Sequence, residues 1–86
     1  MKTIWKFTLT PLGSVEMPAG AKVLTTAAQG DDICIWAEVD SGSEKETRHF
    51  DVYGTGHEIK QDMGIDRRYV GTAFLGPLVF HVYERI

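Results

Sequence analysis

The stretch with the clearest chemical possibility is the turn sequence Tyr53-Gly-Thr-Gly-His57, which follows the alternating residues 50–53. Glycines let backbone N–H groups approach an anion closely, so this turn could cradle a phosphate. It lacks the Lys-Ser/Thr ending of a P-loop and the third glycine of a dinucleotide-binding motif, and no helix is predicted directly after it. The pattern therefore favours a glycine turn with positive φ, with an anion or ligand contact as the alternative.

Two histidines and an aspartate could form a metal site if they converged. His49 and Asp51 are two residues apart, so they project from the same face of a predicted strand, and His57 follows in the glycine turn. Two imidazoles and a carboxylate would leave a coordination position open for catalysis. Nothing in the spacing requires the three side chains to meet, and solvated strand residues are the favoured interpretation. We therefore predict no metal, no cofactor and no catalytic residue.

The pair Arg67-Arg68 is the densest basic point of the sequence. A guanidinium can hold a phosphate or carboxylate through two parallel hydrogen bonds. If the chain between the glycine turn and this pair folds back, both arginines could share one surface with the turn. An exposed pair at the start of a strand is the alternative. The predicted binding residues are Tyr53, Gly54, Thr55, Gly56, His57, Arg67 and Arg68.

The remaining reactive side chains form no catalytic set. The serines have no neighbouring base in the sequence, and a Gly-x-Ser-x-Gly motif is missing. Cys34 is the single cysteine, so no intrachain disulfide can form, and its apolar neighbours favour a buried thiol. Trp36 shares the strand face of Cys34 and is predicted in the core, with an exposed anchor as the alternative. His81, between apolar neighbours, is predicted to be a packed or hydrogen-bonded core residue.

Alternation of apolar and polar residues predicts the strands that position these side chains. The first has Trp5, Phe7 and Leu9 on its core face. The third and fourth form a hairpin around Gly30-Asp31, and the fourth, apolar on both faces, is predicted to lie in the middle of a sheet and to pair with the fifth. A last hairpin turns at Gly76-Pro77. The predicted strands cover residues 3–9, 14–17, 22–29, 33–39, 44–53, 69–75 and 78–83.

These elements predict one all-β domain over residues 1–86. The length allows a single small core, and 43% apolar with 24% charged residues is a globular composition. About seven short strands separated by turns favour a small antiparallel β-sandwich or partly closed barrel. One irregular excursion interrupts the pattern near residues 54–68.

Charge and hydropathy exclude several classes of function. The net charge is −3 without a basic cluster, so direct nucleic-acid binding is not expected. No run of 18 apolar residues occurs, and the start of the sequence does not read as a signal peptide, so we expect no membrane span. Together with the single cysteine, these features predict a cytoplasmic protein.

Several segments together resemble a family of short proteins, without assigned chemistry, that bacteriophages and prophages encode. The resemblance rests, in order, on Met1-Lys-Thr-Ile-Trp-Lys-Phe7, Met17-Pro-Ala-Gly-Ala-Lys-Val-Leu24, Ile35-Trp-Ala-Glu-Val-Asp40, Tyr53-Gly-Thr-Gly-His57, Tyr69-Val-Gly-Thr72 and Val79-Phe-His-Val-Tyr-Glu84. It covers nearly the whole chain and implies a small phage protein that acts in the bacterial cytoplasm.

This context predicts a non-enzymatic accessory protein that binds and inhibits a host protein, with a defence component as one candidate target, in the manner of anti-CRISPR proteins. Its binding surface is predicted over residues 54–68 and an exposed sheet edge. One alternative is a small-ligand binder that sequesters a nucleotide signal; another is a minor structural protein of the virion. A homodimer formed through an edge strand is compatible with each of these.

Overall fold

The computed structural model describes residues 1–59 and 65–86. Its described residues form an all-β structure without helices, in two antiparallel sheets with strand orders β1-β4-β3 and β2-β5-β7-β6. The sheets do not close into a barrel, so the sandwich alternative is confirmed. The strands are β1 (Lys2–Thr8), β2 (Ser14–Pro18), β3 (Lys22–Gln29), β4 (Asp32–Asp40), β5 (Lys45–Gly54), β6 (Arg67–Leu75) and β7 (Leu78–Arg85).

Both predicted hairpins are confirmed. The β3–β4 turn contains Gly30 at a φ of +60°, and the β6–β7 turn contains Gly76 at a φ of +58°. Strand β4 is in the middle of its sheet, between β1 and β3, as its apolar composition predicts. Each predicted strand agrees with an observed one to within two residues at either end, because period-2 alternation reports directly which backbone segment is extended.

The predicted pairing of the fourth strand with the fifth is wrong. Strand β4 pairs with β1 and β3 in one sheet, whereas β5 pairs with β2 and β7 in the other. Residues 41–44 therefore cross from one sheet to the other. The alternation located the strands but not their neighbours, because a sandwich lets two consecutive strands face each other across the core rather than pair side by side.

Strand β5 links two partners along its length. Its first half pairs with β2, from Ser14↔His49 to Pro18↔Lys45, and its second half pairs with β7. Just before β2, the Phe50 N–H donates to the Gly13 carbonyl over 2.8 Å. Gly13 has a φ of +76°, and a Cβ there would lie 2.3 Å from the carbonyl oxygen of Phe50. A glycine is therefore needed where β2 joins β5.

The core lies between the two sheets. Phe50, Met17 and Ile35 are among its largest fully buried side chains. Phe7 and Leu9 pack against this core as predicted, but Trp5 keeps 36% of its surface exposed at the edge of its sheet. The core cluster consists of Val15, Met17, Ala21, Ile35, Ala37, Val39, Phe50 and Val82.

The prediction of Trp36 as a core residue is wrong. It is half-buried on the outer face of the β1-β4-β3 sheet and does not belong to the core cluster. Cys34 is buried on that same outer face, with its sulfur 3.8 Å from Thr8 Oγ1. The inference failed because neighbours on its own sheet, and not the second sheet, cover the thiol.

An ion pair joins the apolar core at one end. The Arg48 guanidinium donates to both Glu84 carboxylate oxygens, at 2.5 Å from Nε and 3.0 Å from Nη2, and Nη1 donates to the carbonyl oxygen of Ala21. Glu84 is only 6% exposed. This pair connects β5, β7 and the start of β3 from the inner side of the sandwich.

The sheets approach each other closely where β6 passes β3. A Cβ on Gly71 would lie 3.2 Å from Cγ2 of Thr26, a buried residue whose Oγ1 donates to the Cys34 carbonyl over 2.7 Å. Next to Gly71, a bulge at Val70 shifts the register of β6 against β7.

The irregular excursion ends earlier than the sequence predicts. Strand β5 continues to Gly54 and β6 already begins at Arg67, so both arginines belong to a strand. The middle of the predicted excursion, residues 60–64, lies outside the described part of the chain.

Candidate functional site

One side of the four-stranded sheet carries most of the polar and aromatic side chains that could bind a ligand. Cross-strand partners share a face of a sheet, and the register aligns Asp51 with Tyr83 and Tyr69, and Tyr53 with His81 and Thr72. We call this surface the tyrosine face; it consists of Asp51, Tyr53, Arg67, Tyr69, Thr72, Phe74, His81, Tyr83 and Arg85.

Three tyrosine rings contact one another in its centre. The ring of Tyr83 lies edge-to-face between its neighbours, with centroids 5.1 Å from Tyr69 and 5.9 Å from Tyr53. Such arrangements stabilise aromatic pairs beyond the area they bury. Tyr69 remains 49% exposed and Phe74, further along β6, 68% exposed. The three rings are therefore packed against one another, while Tyr69 and Phe74 leave aromatic surface exposed.

An ion-pair network occupies one end of the tyrosine face. Arg85 donates to both Asp51 carboxylate oxygens at 2.9 Å, and Arg67 Nε donates to Oδ2 at 2.7 Å. Burial raises the pKa of the Asp51 carboxyl, but the hydrogen bonds from Arg85 and Arg67 outweigh it and hold this pKa below its usual value. The guanidinium of Arg67 also lies 6.0 Å from the Tyr53 ring centroid.

His81 connects the tyrosine face to the glycine turn. Its Nε2 lies 2.8 Å from Thr55 Oγ1, and its Nδ1 lies 3.3 Å from the Tyr69 hydroxyl and 3.4 Å from Thr72 Oγ1. The Thr55 N–H donates to the Val79 carbonyl over 3.1 Å. His81 is hydrogen-bonded, as one form of the prediction had it, but it lies on the outer face of the sheet and not in the core.

The glycine turn has the predicted backbone at one of its two glycines. Gly56 has a φ of +86°. Gly54 does not have a positive φ, and a Cβ there would lie 2.8 Å from the His57 ring, so that this ring would have to move. The turn and the tip of the β6–β7 hairpin border a cleft of about 300 Å³, lined mainly by the apolar residues of the hairpin. Its lining residues are Gly54, Thr55, His57, Pro77, Leu78, Val79 and Phe80.

The structure separates the two predicted arginines. Arg67 pairs with Arg85 and Arg68 with Glu84, so their side chains alternate to opposite faces of the sheet. Of the residues predicted to bind, Tyr53 and Arg67 lie on the tyrosine face, and Thr55 contacts its His81 from the glycine turn. Gly54, Gly56 and His57 border the adjoining cleft or its turn, and Arg68 lies on the other side.

The three candidate metal ligands weighed in the sequence, His49, Asp51 and His57, do not converge. His49 Nε2 is 3.7 Å from Asp51 Oδ1, and across residues 1–59 and 65–86 no three His, Cys, Asp or Glu side chains are grouped to hold a metal ion. The register instead places Ser14 opposite His49, with Oγ 3.4 Å from Nδ1. In space, Ser14, His49 and Asp51 thus succeed one another as the serine, histidine and aspartate of a hydrolase triad do. However, Asp51 accepts hydrogen bonds from arginines, and its carboxylate is too far from the imidazole to orient it through a hydrogen bond.

The sequence prediction missed Tyr69, Tyr83, Arg85 and Phe74 as site residues. A two-residue turn at Gly76-Pro77 pairs Leu75 with Leu78 and, counted without interruption, would place Tyr69 opposite Glu84 on the inner face. The bulge at Val70 moves Tyr69 opposite Tyr83 and so onto the outer face. The signal that could have indicated it is the Val70-Gly71 dipeptide, because a glycine within a strand often marks a bulge.

No helix among the described residues is long and apolar enough to cross a membrane. Neither a curated protein nor a solved structure matches the chain. A family model, described as Domain of unknown function (DUF7352), matches it over residues 1–86. The chain therefore belongs to the DUF7352 family.

Proposed function

We propose that this chain is a non-enzymatic binding protein that docks a partner protein on its tyrosine face. The observation that carries the proposal is the pair of exposed rings, Tyr69 and Phe74, beside the packed rings of Tyr53 and Tyr83 on one sheet surface. Aromatic and arginine side chains are the types that contribute most to protein interfaces, whereas lysine and glutamate are depleted there.

The order of the tyrosine face supports this proposal. Contacts among the rings, the hydroxyl contacts of His81 and the Asp51 ion pairs hold the side chains before any partner arrives. Binding then immobilises few additional side chains, which lowers the entropic cost of association. The neighbouring cleft at Leu78 and Phe80 can receive an apolar side chain of the partner.

The partner in this proposal is a bacterial protein, because the sequence resembles proteins of bacteriophages and prophages. A component of a defence system is the target class we would test first. Binding rather than catalysis is favoured because the Ser14, His49 and Asp51 arrangement lacks the hydrogen bond that orients a catalytic imidazole.

The test is a pull-down from bacterial lysate with and without phage infection, followed by affinity measurement with the recovered protein. Phe74→Asp buries a charge in the proposed interface, and a loss of about 2 kcal/mol at such an anchor weakens binding about 30-fold. Leu12→Asp is the matched control, since Leu12 is also an exposed apolar residue but lies in the turn between β1 and β2.

Recovery of no specific partner, or equal affinity of Phe74→Asp and the unchanged protein, would overturn the proposal. A thermal-shift screen against mono- and cyclic nucleotides addresses the small-ligand alternative. A nucleotide at 100 times its dissociation constant stabilises the folded state by about 2.7 kcal/mol. A shift of that size would identify a nucleotide binder instead.

A further inference from the structure

Strand β1 has an open edge. In the part of the chain that the structure describes, β1 pairs with β4 alone. Strands β3 and β6, the edges on the other side of the sandwich, carry bulges and approach each other at Thr26 and Gly71. Strand β2 is short and ends at Pro18, which cannot donate a backbone hydrogen bond. Of these four edge strands, β1 is the longest without a bulge, and such an edge is a template for another strand.

The hydrogen-bond register defines which backbone groups β1 offers. The Leu9 N–H donates to the Ile33 carbonyl over 2.9 Å, so odd-numbered residues direct their backbone groups toward β4. The N–H and C=O groups of Lys2, Ile4, Lys6 and Thr8 therefore point to the open edge. Ile4 is 59% exposed beside them.

From this edge we infer that two copies of the chain associate through antiparallel pairing of β1 with β1, which joins two three-stranded sheets into one of six strands. The inference is independent of the proposed function. The twofold axis passes beside Trp5, the midpoint of Lys2–Thr8, so all residues of the strand find a partner. Trp5 then faces Trp5 of the second copy, Ile4 faces Lys6, Thr3 faces Phe7 and Lys2 faces Thr8.

Three requirements agree on this register. It gives the full overlap of both strands, and it pairs even-numbered residues with even-numbered residues, as the outward backbone groups demand. It also places no lysine opposite another lysine, whereas a register centred on Ile4 would place Lys2 opposite Lys6 and add like-charge repulsion. A lysine can discourage pairing at an edge strand, but the Lys6 Nζ donates to Gln29 Oε1 on its own sheet.

A second copy is the occupant that these features favour. Strand β1 is complementary to itself in hydrogen-bond parity and in aromatic pairing, and its register keeps lysines from lying directly opposite one another. Trp5 exposes 36% of its surface at this edge, and the facing Trp5 and Phe7 rings of the other copy would cover it.

Light scattering tests the association. The unchanged protein is expected at twice the 9.6 kDa chain mass over a range of concentrations. Ile4→Pro removes an N–H that points to the open edge and not to β4, so it should give a folded monomer. Ile4→Thr keeps that N–H and should remain dimeric. Circular dichroism and thermal unfolding verify that each variant is folded. A monomer at every concentration for the unchanged protein overturns the inference.

Disulfide crosslinking tests the register without relying on the proline variant. In a Cys34→Ala background, Trp5→Cys places two thiols at the twofold axis, where facing residues of a non-hydrogen-bonded pair have Cα atoms about 4.5 Å apart. Thr3→Cys places its two thiols about 14 Å apart. Covalent dimers are expected for Trp5→Cys and not for Thr3→Cys. Crosslinking of both variants alike, or of Thr3→Cys alone, overturns the pairing.

Discussion

At the scale of single residues, Gly13 holds β2 against β5 by lacking a side chain. Its carbonyl accepts the Phe50 N–H, and the space a Cβ would fill is taken by the Phe50 carbonyl oxygen at 2.3 Å. Its φ of +76° adds a separate requirement for glycine. Gly20, with a φ of +78°, shares the backbone requirement, but a Cβ there would meet no atom beyond its chain neighbours within 4 Å.

These two glycines make a matched pair for a stability measurement. Gly20→Ala should cost only the backbone strain of an alanine at positive φ, about 1 kcal/mol. Gly13→Ala adds a collision with backbone that can be relieved only by moving β2 from β5, so we expect a loss of about 3 kcal/mol or more. Urea unfolding of both variants provides the comparison. Equal losses would show that the close approach to Phe50 is not a constraint.

Asp51 makes part of the stability depend on pH. Because its pKa is lower in the folded protein than in the unfolded chain, its ion pairs contribute fully above the unfolded value of about 3.9. That contribution is lost as the pH falls through the lowered folded pKa. The difference in unfolding free energy between the unchanged protein and Asp51→Asn should therefore be largest at neutral pH and shrink in acid.

Urea unfolding at a series of pH values from neutral to acid measures this difference. Asp31→Asn is the control, because Asp31 lies exposed in the turn between β3 and β4. A difference for Asp51→Asn that stays constant throughout the acid range would contradict the role assigned to Arg67 and Arg85.

At the scale of elements, the ion pair of Arg48 and Glu84 connects β5 with β7 beyond the residues through which the backbones of these two strands pair. Arg48 lies in the half of β5 that pairs with β2, whereas Glu84 lies in β7 and pairs with Phe50. The contact with the Ala21 carbonyl adds the residue directly before β3. The favourable interaction with Glu84 raises the pKa of Arg48, so the guanidinium stays charged.

Removal of one partner should leave a poorly solvated charge. We expect Arg48→Met and Glu84→Gln each to lower the free energy of unfolding by about 3 kcal/mol, and the double variant Arg48→Met with Glu84→Gln to lose less than the sum. Chemical denaturation of all three gives the coupling energy. Glu46→Gln is the control: Glu46 is 3.8 Å from Arg48 but nearly half-exposed, so its loss should stay below about 1 kcal/mol. Strict additivity would show that the pair does not act as a unit.

The strands of the tyrosine face also show how far the sequence predicts the candidate site. The alternation of β5 places Asp51 and Tyr53 on one face without any structure, and the turn at Gly76-Pro77 predicts the β6–β7 pairing near its tip. The cluster of three rings was beyond that reasoning, because the bulge at Val70 reverses which face the first residues of β6 occupy. A bulge depends on packing against the second sheet, here at Gly71 and Thr26, which a single strand pattern does not contain.

At the scale of the whole molecule, the fold class follows from the strand pattern but the pairing does not. The first strand pairs with the fourth and the second with the fifth, so contacts between distant segments decide which sheet each strand joins. Period-2 alternation records burial and not neighbours. Strands β3 and β6 approach each other at one side of the sandwich, whereas β1 is an unpaired edge of the three-stranded sheet within the described residues. The tyrosine face is the outer surface of the four-stranded sheet. The proposed dimer would therefore leave two tyrosine faces accessible.

The buried position of Cys34 gives the protein an intrinsic probe of its own motions. Cys34 is 1% exposed and lies in β4, the central strand of the three-stranded sheet. The sequence contains no second cysteine that would react with the same reagent. A thiol reagent can react with Cys34 only while the neighbours that cover it on the outer face are displaced, so the labelling rate reports those openings. Native-state breathing of this sheet is thus readable by mass spectrometry without any introduced label.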